Sequence, residues 1–334
     1  IGVRFYLHGD VIPDTKVGFN IPEINETHKP MFALRGLQPF HDFPEGPDWW
    51  EKDNYIITVE QMAKLRLNFL GLHTYTDNGN YVRFEPNVWQ GLPGEYSSNG
   101  NVSKSYPSKY ANTGLYSWGY LPKKTSEYSW GADQLFDKDY YTSSVMDGLT
   151  PIPDSPEKMN QLFNLTADLL KVAFTHARSL GIKTCIGTEV PLSMHYSITD
   201  EMKKVGKDPK DPEYIANIYK GTFGRIEKSY PIDYFWFWTS EGWTWNIPTP
   251  EQQQEVTSNL QTAIKVHQEM KPSFKLATCG WVLGPPNDRA LFDKILPKEI
   301  PVSCINRYLG YSPVDISFTS VSGRDKWAIP WLED

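Results

Sequence analysis

The sequence predicts an α/β fold of the (β/α)8, TIM-type barrel class, truncated after its seventh strand and preceded by the tail of a small α/β domain. Three observations lead there. One helix-start signal recurs along the chain, a short apolar β-prone run follows each helix, and no glycine-rich phosphate loop follows any of those runs. The last point argues against a doubly wound sheet, the competing arrangement.

The start signal is a capping residue, then Pro, then Glu. It occurs as Ser155-Pro156-Glu157, Asp211-Pro212-Glu213 and Thr249-Pro250-Glu251. The first residue satisfies orphan amides, Pro suits the first helical position, and Glu opposes the positive end of the helix dipole. In the first of these helices Met159, Leu162, Phe163, Leu169, Leu170, Ala173, Ala177 and Leu180 fall on one face. Upstream, a helix is expected from Thr58, with Gln61 completing a capping box.

Seven strands are predicted, in order: Phe32–Leu37, Asn68–His73, Lys183–Gly187, Tyr234–Trp238, Lys275–Trp281, Val302–Asn306 and Trp327–Trp331. Strand and helix alternate at roughly 35 to 50 residues per unit in the second half, the spacing of a parallel sheet. Residues 1–30 read as the end of a preceding small α/β domain and its linker, and residues 31–334 as the barrel. Residues 75–153 form a long insertion after the second strand, rich in Tyr, Ser, Asn and Gly and carrying Trp89, Trp118 and Trp130. It is expected over the C-terminal rim, where it would shape a substrate site.

Composition narrows the function. With 40% hydrophobic and 22% charged residues the chain reads as globular, and no apolar run reaches the length of a membrane span. A net charge of −7 without a Lys/Arg cluster speaks against a nucleic-acid partner. Cys185, Cys279 and Cys304 lack metal-ligand spacing and read as buried thiols. The chain begins without Met and stops just after a strand-like run, so it reads as a piece of a longer protein. Oligomeric state is not legible.

In a barrel of this class, side chains just past the C-terminal ends of the strands converge on one pocket. Those positions hold Arg35, His41 and Asp42, then His73, Glu189, Glu241, Trp281, Asn306 with Arg307, and finally Glu333 with Asp334. Acids, amides, aromatics and Arg are the groups that bind and cleave a saccharide. Cleavage of a glycosidic bond takes two carboxylates, one to protonate the leaving oxygen and one to attack or activate water. Glu241 stands among seven aromatic residues in YFWFWTSEGWTW. Desolvation there is expected to raise its pKa and suit it to be the acid. Glu333 is the expected partner, since strands four and seven face each other across a barrel. His41 and His73 stand apart, without a His-x-His pair, and read as hydroxyl-binding or structural residues; no metal or cofactor is expected. Indoles that could stack on a pyranose include Trp243, Trp245 and Trp281.

These residues resemble a known family. TSEGW is similar to the Ser-Glu-Gly motif after the fourth barrel strand of microbial α-glucuronidases, and AIPWLED to the late stretch carrying that family's general base. IGVRFYLHGD, a short link and LRG together resemble the junction of small domain and barrel in α-glucuronidases and β-hexosaminidases. The resemblance touches about a fifth of the chain. It implies an exo-acting glycoside hydrolase on a plant or algal polysaccharide or oligosaccharide, with uronic acid as a candidate sugar, in a periplasmic or extracellular setting. It also implies Glu241 as acid, Glu333 as base and Arg35 as a ligand of substrate hydroxyls. Two departures stand out. Asn306-Arg307 occupies the place of the family's second acidic residue, so either Glu333 serves alone or substrate and stereochemistry differ. Ser240, not Asp, precedes Glu241, which argues against an N-acetyl-assisted mechanism. The rival reading is a carbohydrate-binding barrel without catalysis.

Overall fold

The computed structural model describes residues 2–14, 22–39, 46–74, 85–108, 123–128, 131–141, 143–306 and 314–330. It opens on an antiparallel hairpin, β1 (Arg4–Tyr6) with β2 (Gly9–Val11). Five parallel strands then lie side by side in chain order: β3 (Gly36–Leu37), β4 (Phe69–Thr74), β5 (Lys183–Glu189), β6 (Tyr234–Thr239) and β7 (Lys275–Gly280). The last two, β8 (Val302–Asn306) and β9 (Lys326–Pro330), pair in parallel with each other. β8 runs beside β7, where the Thr278 amide donates to the Pro301 carbonyl at 3.0 Å and the Ser303 hydroxyl donates to the Thr278 carbonyl. Each predicted strand has a counterpart. The first is much shorter than expected, and Trp331, the expected end of the seventh, lies outside the described residues.

The helices are α1 (Lys52–Lys64), α2 (Pro156–Ser179), α3 (Tyr196–Lys204), α4 (Pro212–Ser229), α5 (Pro250–Met270) and α6 (Leu291–Ile295). The three Pro-Glu signals open α2, α4 and α5, as the sequence predicts. Ser155, Asp211 and Thr249 accept from the amides of Lys158, Glu213 and Gln252. Two expectations need correction. α1 begins six residues before Thr58, with the Glu51 amide donating to Asn54 Oδ1 at 2.8 Å. The earlier start adds Tyr55 to the stripe that buries Val59 and Met62, and that burial outweighs the local capping box at Thr58. Leu180 sits past the last turn of α2 and is exposed, so it leaves the predicted apolar face.

Strand side chains alternate between two buried faces, as a parallel sheet requires. Leu70, Leu72, Ile186, Phe235, Phe237 and Leu276 pack on the helices, against Val59, Met62, Leu170, Phe174, Tyr219, Phe223 and Leu260. The other face joins Phe69, Cys185, Tyr234, Trp236, Trp238, Ala277, Cys279, Trp281 and Ile305. Trp327 of β9 closes against this second face. Its ring lies 5.4 Å from Phe69 and 5.0 Å from Tyr234, so rings of β4, β6 and β9 meet on this face. The three cysteines are buried thiols outside any disulfide, as expected.

Of the described parts of the insertion, residues 85–108 pack on the helices, whereas Phe136 packs on Trp49 and the Ser144 hydroxyl donates to Glu51, two residues of the segment that follows β3. Trp89 is fully buried against Phe163 and Val102, and its Nε1 donates to the Lys104 carbonyl. Tyr230 donates to the Asn87 carbonyl at 2.6 Å, Asn164 accepts from the Val102 amide, and Tyr106 packs on Ile198 and Met202 of α3. An indole with an acceptor in reach serves this interface better than a rim open to water. Trp118 and Trp130 lie outside the described residues.

Candidate functional site

In the parallel sheet all C-terminal strand ends share one edge, and period-two alternation decides which side chains reach the inner, non-helical face there. On β4 it is His73, on β5 Glu189, on β6 Trp236 and Trp238, and beyond β7 Trp281. Glu189 is the register partner of Trp238 and is partly buried. The His73 ring lies 4.0 Å from the Trp238 ring at 38°, and both are buried.

One indole sets the floor beneath this layer. Trp236 reaches across β5, and its Nε1 donates to the Leu72 carbonyl of β4 at 2.8 Å. It fits because two strand positions lack side chains. A Cβ on Gly71 would come within 2.2 Å of the Trp236 ring, and one on Gly187 within 1.8 Å of the Trp236 carbonyl oxygen. Glycine weakens a strand, and here it admits a large neighbour instead.

Glu241 is the first residue of a one-turn 3-10 helix, Glu241–Thr244, directly after β6. It is exposed, so the expected burial among aromatics is not found. Neighbours in sequence part company in space. Phe235 and Phe237 point to the helices, Trp236 and Trp238 lie lower on the inner face, and Trp243 stacks on Phe292 at 5.8 Å and 4° in the helix-side core. Trp243 is therefore not brought to the site. Arg289 fixes that turn by donating to the carbonyls of Trp243 and Thr244. Trp245, which ends the turn, is 58% exposed, and its ring lies 6.5 Å from Trp281 at 44°.

Arg35 stands at the wrong end. Pairing with β4 begins at Gly36, so Arg35 precedes its strand and lies at the N-terminal edge. There its guanidinium donates to the carbonyls of Phe32, Ala33 and Arg66, and its amide donates to Asn68 Oδ1. These backbone bonds give it a structural duty away from the other candidates. Asn306 closes β8 opposite Pro330. His41, Asp42, Arg307, Glu333 and Asp334 lie outside the described residues.

The structure thus gathers His73, Glu189, Glu241 and Trp281 at one edge. It adds Trp238, which the sequence reading did not single out, and of the two candidate indoles Trp243 and Trp245 it leaves Trp245 at this edge. Trp238 was legible by alternation, two positions on from Trp236 and level with the acid ending β5. Trp245 could be told from Trp243 only by seeing which indole the turn buries. Among the described residues, no three His, Cys, Asp or Glu side chains gather as a metal-binding group. No described helix is long and apolar enough to cross a membrane.

No family model and no curated protein matches the chain. Among solved structures it is similar to a glycoside hydrolase family 20 β-N-acetylglucosaminidase, with TM-score 0.42 and 12% identity over 90% of this chain and 52% of that one. It is also similar to a GH138 enzyme targeting pectin rhamnogalacturonan II, with TM-score 0.39 and 12% identity over 90% of this chain and 34% of that one. The chain therefore spans about half the length of the first and about a third of the second.

Proposed function

We propose that this chain carries the active site of a glycoside hydrolase on a (β/α)8-type barrel, exo-acting on a plant or algal polysaccharide or oligosaccharide. A uronic-acid-bearing chain is the first substrate to try. The observation that carries the reading is the strand-end edge where two carboxylates, Glu189 and Glu241, stand with the indoles of Trp238, Trp245 and Trp281 and with His73. Flat rings accept the C–H face of a pyranose, while acids and imidazole bind its hydroxyls. The barrel assignment draws support from seven parallel strands in chain order, of which β4 to β8 are buried on both faces, with Trp327 reaching back to Phe69.

In this reading Glu241 protonates the leaving oxygen and Glu333 attacks or activates water, with Glu189 holding a substrate hydroxyl. Arg307 takes the place vacated by Arg35 and binds the substrate's carboxylate as a fork. Glu241 is exposed, so the shielding that a proton donor needs comes from the bound saccharide itself, which displaces water from the carboxyl.

That same exposure favours a second reading, a barrel that binds carbohydrate without cleaving it. Glu241→Gln separates the two. For a hydrolase, kcat falls by about 10²- to 10⁴-fold, the usual contribution of a positioned acid, while oligosaccharide binding persists. A wild-type chain that binds oligosaccharide, releases no reducing sugar and is unaltered by the substitution is a binding module.

A further inference from the structure

We infer that Trp245, backed by Trp281, is the platform for a second saccharide ring, the one on the leaving-group side of the bond, so that the site takes oligosaccharides in preference to simple glycosides. The inference rests on the hydrolase reading for the word leaving; the platform itself rests on geometry.

Trp245 is more than half exposed, although indoles are among the most apolar side chains to leave in water. Its neighbour in the turn, Trp243, is buried and stacked on Phe292, so the core has a place for an indole and that place is taken two residues earlier. The placement is fixed from two sides. The Trp245 amide donates to the Gly242 carbonyl at 3.3 Å, and Arg289 holds the preceding carbonyls. Trp281 is buried at the adjoining strand end and inclined 44° to Trp245, so the pair forms a shallow angled wall: Trp281 inside, Trp245 outside. Ile247, 64% exposed, extends the apolar surface outward. Glu241 lies four residues before Trp245 on the same turn. An acid delivers its proton to the oxygen between two sugar units. A ring that continues outward past that oxygen meets the exposed indole, while the ring farther in meets Trp281.

The test compares Trp245→Ala and Trp245→Phe with the wild-type chain on two probes carrying the same terminal sugar, glucuronosyl-xylotriose and α-glucuronosyl fluoride. The fluoride has no second ring to stack. KM for the oligosaccharide rises about tenfold more than KM for the fluoride in the alanine variant, the size expected for truncating one aromatic anchor, and phenylalanine recovers part of it. Equal changes on both probes, or none, overturn the inference. Should the wild-type chain hydrolyse neither probe, the glucuronosyl substrate is what fails. Titration with xylotriose, cellotriose and glucuronosyl-xylotriose, followed by tryptophan fluorescence, then decides the platform alone. Binding weakened by Trp245→Ala upholds it; no binding, or binding indifferent to the substitution, overturns it. Trp245 lies at the surface, so circular dichroism of the variants is expected to match that of the wild-type chain.

Discussion

Within α4, the guanidinium of Arg225 lies wholly out of water. Its Nε is 3.2 Å from the Gly100 carbonyl oxygen, its Nη2 is 2.8 Å from that of Phe163, and it packs over the Phe163 ring. Burial draws its pKa down, and the charges of Tyr230 and Asp168 pull the other way. One side chain thereby fastens residues 85–108 to both α2 and α4. Removing it leaves the buried Gly100 carbonyl without its donor, strips the Phe163 carbonyl of the bond beyond its helical one and opens a cavity, so Arg225→Ala is expected to cost about 3 kcal/mol, read from the urea midpoint at constant slope. Arg225→Lys recovers little, because an ammonium cannot span two carbonyls as the fork does. At this scale the sequence is least informative. YFWFWTSEGWTW reads as an acid wrapped in aromatics, yet alternation along β6 and one 3-10 turn send those rings to three different places. Arg35 misled for a related reason: the apolar run MFALRGL does not reveal that pairing with β4 begins only at Gly36.

Elements were far more legible. Each Pro-Glu signal opens a helix because cap, ring and acid act within a single turn, independent of what packs nearby. The Thr58 box fails because the buried stripe through Tyr55 draws the helix farther upstream. Among the strands, β5 makes the sharpest demand. Gly187 faces the backbone of Trp236, which cannot swing aside as a side-chain tip would. Gly187→Ala is therefore expected to destabilise by about 2 to 3 kcal/mol through overpacking, visible as a lower melting temperature, and to perturb near-ultraviolet circular dichroism from the tryptophans. Nothing in KTCIG announces this duty, since the partner indole lies some fifty residues later in the sequence.

Across the whole molecule, strand order follows chain order, so alternating strands and helices sufficed to predict the topology of the sheet. The ring contacts of the inner face were another matter, because no local pattern records which of them meet. Trp327 is the contact to probe. It joins β9 to Phe69 and Tyr234, which belong to strands far away along the row. Trp327→Ala is expected to cost about 2 kcal/mol or more and to raise hydrogen exchange first in β8 and β9. Loss confined to those two strands would mark them as a separable unit, whereas uniform loss would mark the described strands as a single cooperative body.

The indole of Trp236 lying over Gly71 and Gly187 also fixes how deep a visitor can go. That level is plugged, and His73 and Trp238 are buried just above it. In the hydrolase proposed above, this leaves a sugar little depth to enter and keeps its outer hydroxyls near Glu189 and Glu241. Such a shallow berth would suit the tip of a chain better than its middle.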